Sequence, residues 1–202
     1  MPFKWFLAAC ALFVAACSSP AVEMKALDGD SFLGPADAKV VVTEYGAPTC
    51  PSCKGWHDAF WEQLKSNYID TGKIKFVFRE LPSHNPPMDA AIFYIARCSG
   101  QDSYFKVIDL AFERQAAIER AYRSGDAQSA LIDLGKAVGM SAEQVEACTK
   151  DPKAAQRIFD VQTDADKLGV TGTPTFFING KMVDDARYET MAREIDAALA
   201  AE

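Results

Sequence analysis

Cys50 and Cys53, in the segment Cys50-Pro51-Ser52-Cys53, stand at i and i+3. At that spacing two sulfurs fall on one face of a helical turn and can close a disulfide with little backbone movement. A pair that can open and close is equipped for redox chemistry. Pro51 suits a first helical position, because its missing N–H would find no partner there. Cys50 therefore lies at a helix start, where free backbone N–H groups and the positive end of the helix dipole favour thiolate over thiol. A stabilised thiolate makes the reduced pair more favourable and the disulfide more oxidising. Cys53, one turn inside, is the shielded sulfur that attacks a mixed disulfide. Two blander uses of the pair stand beside this one, a structural disulfide and half of a zinc site. His57 is four residues beyond Cys53 and could add a ligand, but there is no second Cys-x-x-Cys. Otherwise His57 reads as a surface helix residue and His84 as a loop residue.

The elements that must hold the pair follow from periodicity. Val40 to Tyr45 is a β-branched run too short for a helix, a strand buried on both faces, which Gly46, Pro48 and Pro51 then break. Trp56, Phe60, Trp61, Leu64 and Tyr68 recur at helical spacing after Pro51, and Lys73 to Leu81 is a second strand closed by Pro82. Strand, helix and strand in this order make a βαβ unit. Helices are expected over 89–98, 103–114 and 127–138. Ser141 to Gln144 fits a capping box, and Asp151-Pro152 fits an N-cap with proline in the first turn. Gly172 to Ile178 is a strand led by Pro174. Asn179-Gly180 then turns it into 181–183, and a last helix covers 188–199. Phe76, Phe78, Phe176 and Phe177 sit at strand positions and read as core. Arg114 to Arg123 reads as a solvated helix.

Composition narrows the possibilities. At 49% hydrophobic and 24% charged, the 202 residues have the make-up of one globular domain. With 28 acidic against 21 basic residues the formal charge is −7, so nucleic acid is not an expected partner. Lys4 followed by the apolar run Trp5–Ala16 reads as a secretory signal, since about 12 apolar residues fall short of the roughly 20 of a spanning helix. Val14-Ala15-Ala16-Cys17 resembles a bacterial lipoprotein signal, with Cys17 as the lipidated residue; the bland alternative is an ordinary cleavable signal. Cleavage there leaves Cys50, Cys53, Cys98 and Cys148, an even number suited to an oxidising compartment.

Glu44 to Cys53 (EYGAPTCPSC), the helical stretch after the second strand, and Gly172 to Gly180 (GTPTFFING) together resemble the DsbA-like branch of the thioredoxin-fold oxidoreductases. The resemblance runs from about Ser31 to the C-terminus. It implies an α/β thioredoxin fold carrying an all-helical insertion. The expected division is signal peptide at 1–17, tether and lead-in at 18–38, the βαβ half at 39–82, insertion at 83–168 and the ββα half at 169–202. It implies that Pro174 is a cis-proline beside the disulfide and that the Thr173 backbone holds substrate peptide. Glu44 takes the place of a buried acid that assists proton transfer at the inner cysteine. Pro51 and Ser52 tune the couple. Ser52 stands where the best-known pattern has histidine, and Thr173 where it has valine. A serine hydroxyl donates more weakly than imidazole, so Cys50 is expected to be less acidic than DsbA's cysteine, roughly 3.5, yet more acidic than an ordinary thiol. Pairing Cys98 with Cys148 resembles the extra disulfide of some relatives, a structural staple. The expected activity is disulfide exchange with unfolded or folding exported proteins, with Cys50 as nucleophile and Cys53 resolving. A membrane quinone-linked oxidase would recycle the enzyme, which is expected to be a periplasmic, lipid-anchored monomer needing no metal or organic cofactor. The rivals are a reductase or isomerase, for which Thr173 speaks, and a noncatalytic metal-binding or chaperone-like lipoprotein.

Overall fold

The computed structural model describes residues 24–202; the expected signal, Cys17 and the start of the expected tether lie outside the described residues. Strands β2 (Val40–Gly46) and β3 (Ile74–Glu80) run parallel, with Val42 opposite Phe76 and Glu44 opposite Phe78. The chain between them forms α1 (Pro51–Trp56), which continues through a π-helical turn (His57–Trp61), α2 (Glu62–Leu64) and a second π-helical turn (Lys65–Ile69). Strand β2 does not stop before Gly46, as its glycine suggested, but pairs through it. A Cβ at Gly46 would lie 2.8 Å from both Glu44 Oε1 and the Phe78 ring, so the close approach of that carboxyl requires glycine.

After β3 the chain forms α3 (Pro86–Cys98), α4 (Gln101–Glu113), α5 (Gln115–Arg123), α6 (Ala127–Lys136), α7 (Ala142–Cys148) and α8 (Pro152–Lys167). Three of these starts are set by side-chain caps that satisfy N–H groups left free in the first turn: Asn85 on α3, the Ser141–Gln144 box on α7 and Asp151 on α8. A disulfide joins Cys98 at the end of α3 to Cys148 at the end of α7. The chain then returns to the sheet as β4 (Thr175–Ile178), antiparallel to β2, and β5 (Lys181–Met182), and ends in α9 (Tyr188–Ala200). Asn179 and Gly180 both have positive φ, 46° and 79°, as a two-residue hairpin turn of this kind requires.

The sequence reading of an irregular lead-in is corrected at β1 (Ser31–Leu33), which pairs antiparallel with β3 and completes the sheet order β1-β3-β2-β4-β5. A three-residue strand gives no periodicity, and the anchor is ionic. Asp30 pairs with Arg79 of β3 and Arg157 of α8, two nearly inaccessible guanidiniums. One face of the sheet buries Val42, Phe76, Phe78 and Phe176 against α1, α4 and α9, through Trp56, Trp61, Phe112 and Met191. The other buries Tyr45 and Phe177 against Val161 and Ala165 of α8. At roughly 25 cal/mol per Å² of apolar surface, these two layers supply the main driving force that fixes β2 and α1 relative to each other.

Candidate active site

The central strand β2 ends and α1 begins at one end of the sheet, and the loop between them presents Cys50. Its backbone is extended (φ −73°, ψ 117°) and its sulfur occupies the N-cap position, accepting from the Cys53 N–H at 3.4 Å. The loop is held from two sides. Cys50 N–H donates to Ala47 O, and the Gln115 side-chain amide of α5 donates to the carbonyls of Pro48 (2.7 Å) and Cys50 (3.0 Å). The helix read as merely solvated therefore also braces the active loop, through its first residue.

The Thr173–Pro174 bond is cis, and the Cys50 thiol donates to Thr173 O at 3.2 Å. The three segments that the sequence named separately thus meet at one sulfur. Pro51 and Ser52 are exposed beside it, and Thr173 and Pro174 are half-buried. Both cysteines are free thiols, Cys50 only 6% exposed and Cys53 fully buried.

Their environments push the two sulfurs apart. The Cys53 thiol donates to Cys50 and, against the opposing effect of burial, lowers its pKa to about 5; the N–H groups of Cys53 and Ser52 add to this. Cys50 thus lies between the strongly acidified family example and an ordinary thiol. Ser52 contributes through its backbone, and the largest contribution comes from the partner thiol, which dipole reasoning alone did not give. Burial pushes the Cys53 thiol far up, reinforced by its donated hydrogen bond and by the charges of Glu44 and Cys50. An outer sulfur that carries charge and an inner one that keeps its proton form an asymmetric couple.

Glu44, completely buried on β2, faces His57. His57 Nε2 lies 3.0 Å and 3.2 Å from the two carboxylate oxygens. The histidine is not the surface residue that the sequence suggested. It is 8% exposed, its ring stacks on Phe112 of α4 at 4.3 Å between centroids, and its Nδ1 has no hydrogen-bond partner among the described residues. Spacing held the signal, since i+4 from Cys53 is the same helix face. What the sequence could not supply was α4 covering that face. His57 therefore turns to Glu44, away from the role of third ligand beside two sulfurs. Among the described residues no cluster of three or more His, Cys, Asp or Glu could hold a metal ion. His84 is exposed in the loop before α3, as expected.

A second acid that sequence reasoning passed over is Asp89 in the first turn of α3. Fully buried, it accepts from Thr49 N–H at 2.8 Å and from Ser83 N–H at 3.0 Å. Desolvation pushes its carboxyl up to about 6 against those two donors, with the Cys50 charge adding to the rise.

Comparison with known proteins places these features in context. Residues 26–197 match the profile of a family described as thioredoxin. A Rickettsia bellii protein named as a candidate protein-disulfide oxidoreductase is 33% identical over 184 residues, 88% of this chain and 68% of that protein. Further Rickettsia proteins of the same description are 31% to 34% identical, and this chain spans 63% to 65% of their length. The Bacillus subtilis disulfide bond formation protein D is 27% identical, over 86% of this chain and 78% of that protein. The crystal structure of Wolbachia pipientis alpha-DsbA1 superposes with a TM-score of 0.78 at 24% identity, covering 87% of this chain and 94% of that one, a likeness of fold.

Proposed function

The chain belongs to the thioredoxin family and to its protein-disulfide oxidoreductases, and from that premise we propose that it is a DsbA-like enzyme that introduces disulfides into exported proteins. The observation that carries this reading is the divergence of the two sulfurs, Cys50 acidified to about 5 and Cys53 pushed up and buried. In the oxidised enzyme a substrate thiolate attacks Cys50 Sγ. The Cys50–Cys53 bond breaks, a mixed disulfide forms, and Cys53 leaves with the electron pair and takes up a proton. Glu44, hydrogen-bonded to His57, is the buried group that supplies or accepts that proton on the inner side. The substrate's second thiolate then attacks its own sulfur in the mixed disulfide and expels Cys50 as a thiolate. Two electrons have passed from substrate to enzyme. The acidity of Cys50 makes it the better leaving group in that last step.

Substrate peptide lies along Thr173 and Pro174, whose backbone is already within hydrogen-bond reach of the nucleophile. The two electrons pass on to a membrane quinone-linked oxidase, which returns the Cys50–Cys53 disulfide. We place the folded body outside the cytoplasm, held at a membrane through Cys17; the apolar run Trp5–Ala16 and the pairing of Cys98 with Cys148 both favour an oxidising compartment. Among the described residues no helix is long and apolar enough to cross a membrane.

A reductase or isomerase is the second reading, favoured by Thr173 before the cis-proline. Equilibrating the Ser18–Glu202 fragment with glutathione buffers separates the two. A potential near the roughly −120 mV of strong oxidants supports oxidation as the cellular role, while one near the roughly −270 mV of thioredoxin supports reduction. Bound zinc with no reversible couple would overturn both.

A further inference from the structure

We propose that Asp89 is a positioning residue for disulfide exchange: one carboxylate, carried by the helical insertion, fixes both the loop that presents Cys50 and the loop that braces Thr173. The inference rests on the exchange reading above and adds to it a residue outside the cysteine pair, the cis-proline and the buried Glu44. Asp89 Oδ1 takes the N–H of Thr49, the residue immediately before the nucleophile. Its Oδ2 takes the N–H of Ser83, and the Ser83 hydroxyl accepts from the Thr173 hydroxyl at 3.0 Å. A continuous path of hydrogen bonds therefore runs from the peptide before Cys50, through one buried carboxylate, to the residue whose carbonyl faces the Cys50 sulfur.

The Thr49 side is tied a second time, because Asn85 N–H donates to Thr49 Oγ1 at 2.9 Å while the Asn85 carboxamide caps α3 by accepting from Met88 N–H. The Ser83 side has no such duplicate in this path and lies nearer the surface. A carboxylate suits the position chemically, since two converging N–H donors need two acceptor oxygens and an amide offers only one. The Cys50 thiolate is near enough for its charge to add to the rise of the Asp89 carboxyl.

Asp89→Asn separates these contributions. The amide oxygen is expected to stay on fully buried Thr49. The NH2 group then faces Ser83 N–H, where two donors oppose each other and the half-buried serine can turn to water. Exchange is measured with a dithiol peptide and, separately, with a small dithiol such as dithiothreitol that reacts at Cys50 without lying along Thr173. The expected result is a fall of about 10-fold in kcat/KM for the peptide, mostly in KM, with the small dithiol changed less than about twofold. Ultraviolet titration of the Cys50 thiolate should show its midpoint nearly unmoved, because Asp89, raised to about 6, is already largely protonated where Cys50 titrates near 5.

A role confined to stability would reduce both rates together, and looser packing would move the titration up towards an ordinary thiol; either result overturns the proposal. If Asp89→Asn does not fold, Ser83→Ala removes only the acceptor of the Thr173 hydroxyl. It should lower peptide exchange with the small dithiol unaffected, and equal effects on both, or none, overturn the proposal. Absence of exchange by the unaltered protein with either thiol would instead refute the functional reading itself.

Discussion

Reducing the Cys50–Cys53 pair should make folding stability depend on pH in a way that Cys50→Ser abolishes. The folded protein holds the Cys50 pKa at about 5, against 9.0 for an unperturbed cysteine, so the folded state binds the thiol proton less tightly than the unfolded chain does. The contribution is therefore complete above about pH 9, shrinks as the pH falls, and is gone below about pH 5. At pH 7 two of the four units are realised, which at about 1.4 kcal/mol per unit gives about 3 kcal/mol. Solvent screening at the open side of the loop reduces this to about 2 kcal/mol. For a two-electron couple, about 2 kcal/mol raises the reduction potential by about 40 mV over the same scaffold with an ordinary thiol. The assay is urea unfolding of the reduced protein and of reduced Cys50→Ser across this pH range. Asp89, raised to about 6, titrates in both proteins and largely cancels in their difference. The difference should grow from nearly zero at pH 5 to its largest value near pH 9. A flat difference, or one that grows towards acid, would refute the assignment of a stabilised thiolate to Cys50.

Glu44→Gln keeps the shape of the carboxyl and the contact with His57 but removes the ionisable group. Alkylation of Cys50 should be little changed, while resolution of a mixed disulfide by Cys53, followed by rapid acid quenching, should slow by about 100-fold, the lower end for a general base. Replacing Cys98 and Cys148 together with alanine opens a bond that spans 50 residues of sequence. Chain entropy predicts a loss of about 4 kcal/mol in denaturant unfolding, and a loss under 1 kcal/mol would show that the unfolded chain is not the state the bond restrains. Arg79→Ala leaves Asp30 and Asp164 without their shared guanidinium at a site where the arginine is 1% exposed. Unfolding should become easier by about 3 to 5 kcal/mol. Protease cleavage near Asp30 should appear before global unfolding.

The elements that the sequence displayed are those whose signals are local. Pro51 after Cys50, the Val40–Tyr45 run and the Asn179-Gly180 turn each state their structure within a few residues, and the helix, strand and hairpin stand where those residues place them. Cys50, Cys53, Thr173 and Pro174 could be named because a motif marks each of them. His57 and Asp89 could not be, because what makes them part of the site is distant in sequence. Phe112 converts His57 from a surface residue into a buried partner of Glu44, and Thr49 and Ser83 convert an ordinary first-turn aspartate into a clamp. β1 escaped for the same reason, held by Arg79 and Arg157 through Asp30.

The roles of His57 and Asp89 share a cause that also says what the helical insertion does. α3 brings Asp89 to the back of the Cys50 loop, α4 brings Phe112 over His57, and α5 brings Gln115 to the carbonyls of Pro48 and Cys50. Two helices of the insertion, α3 and α5, thus hold a loop of about five residues from outside the βαβ unit, while α4 covers the helix face behind it. Ordering such a loop costs about 1 to 2 kcal/mol per residue in backbone entropy. Buried hydrogen bonds at about 1 kcal/mol each offset most of that cost only if several act together. The Cys98–Cys148 bond closes the far side of the same insertion, joining α3 to α7. Its reach to the active loop therefore runs through α3, the helix that carries both Cys98 and Asp89, so a staple distant from Cys50 and the clamp beside it belong to one rigid element.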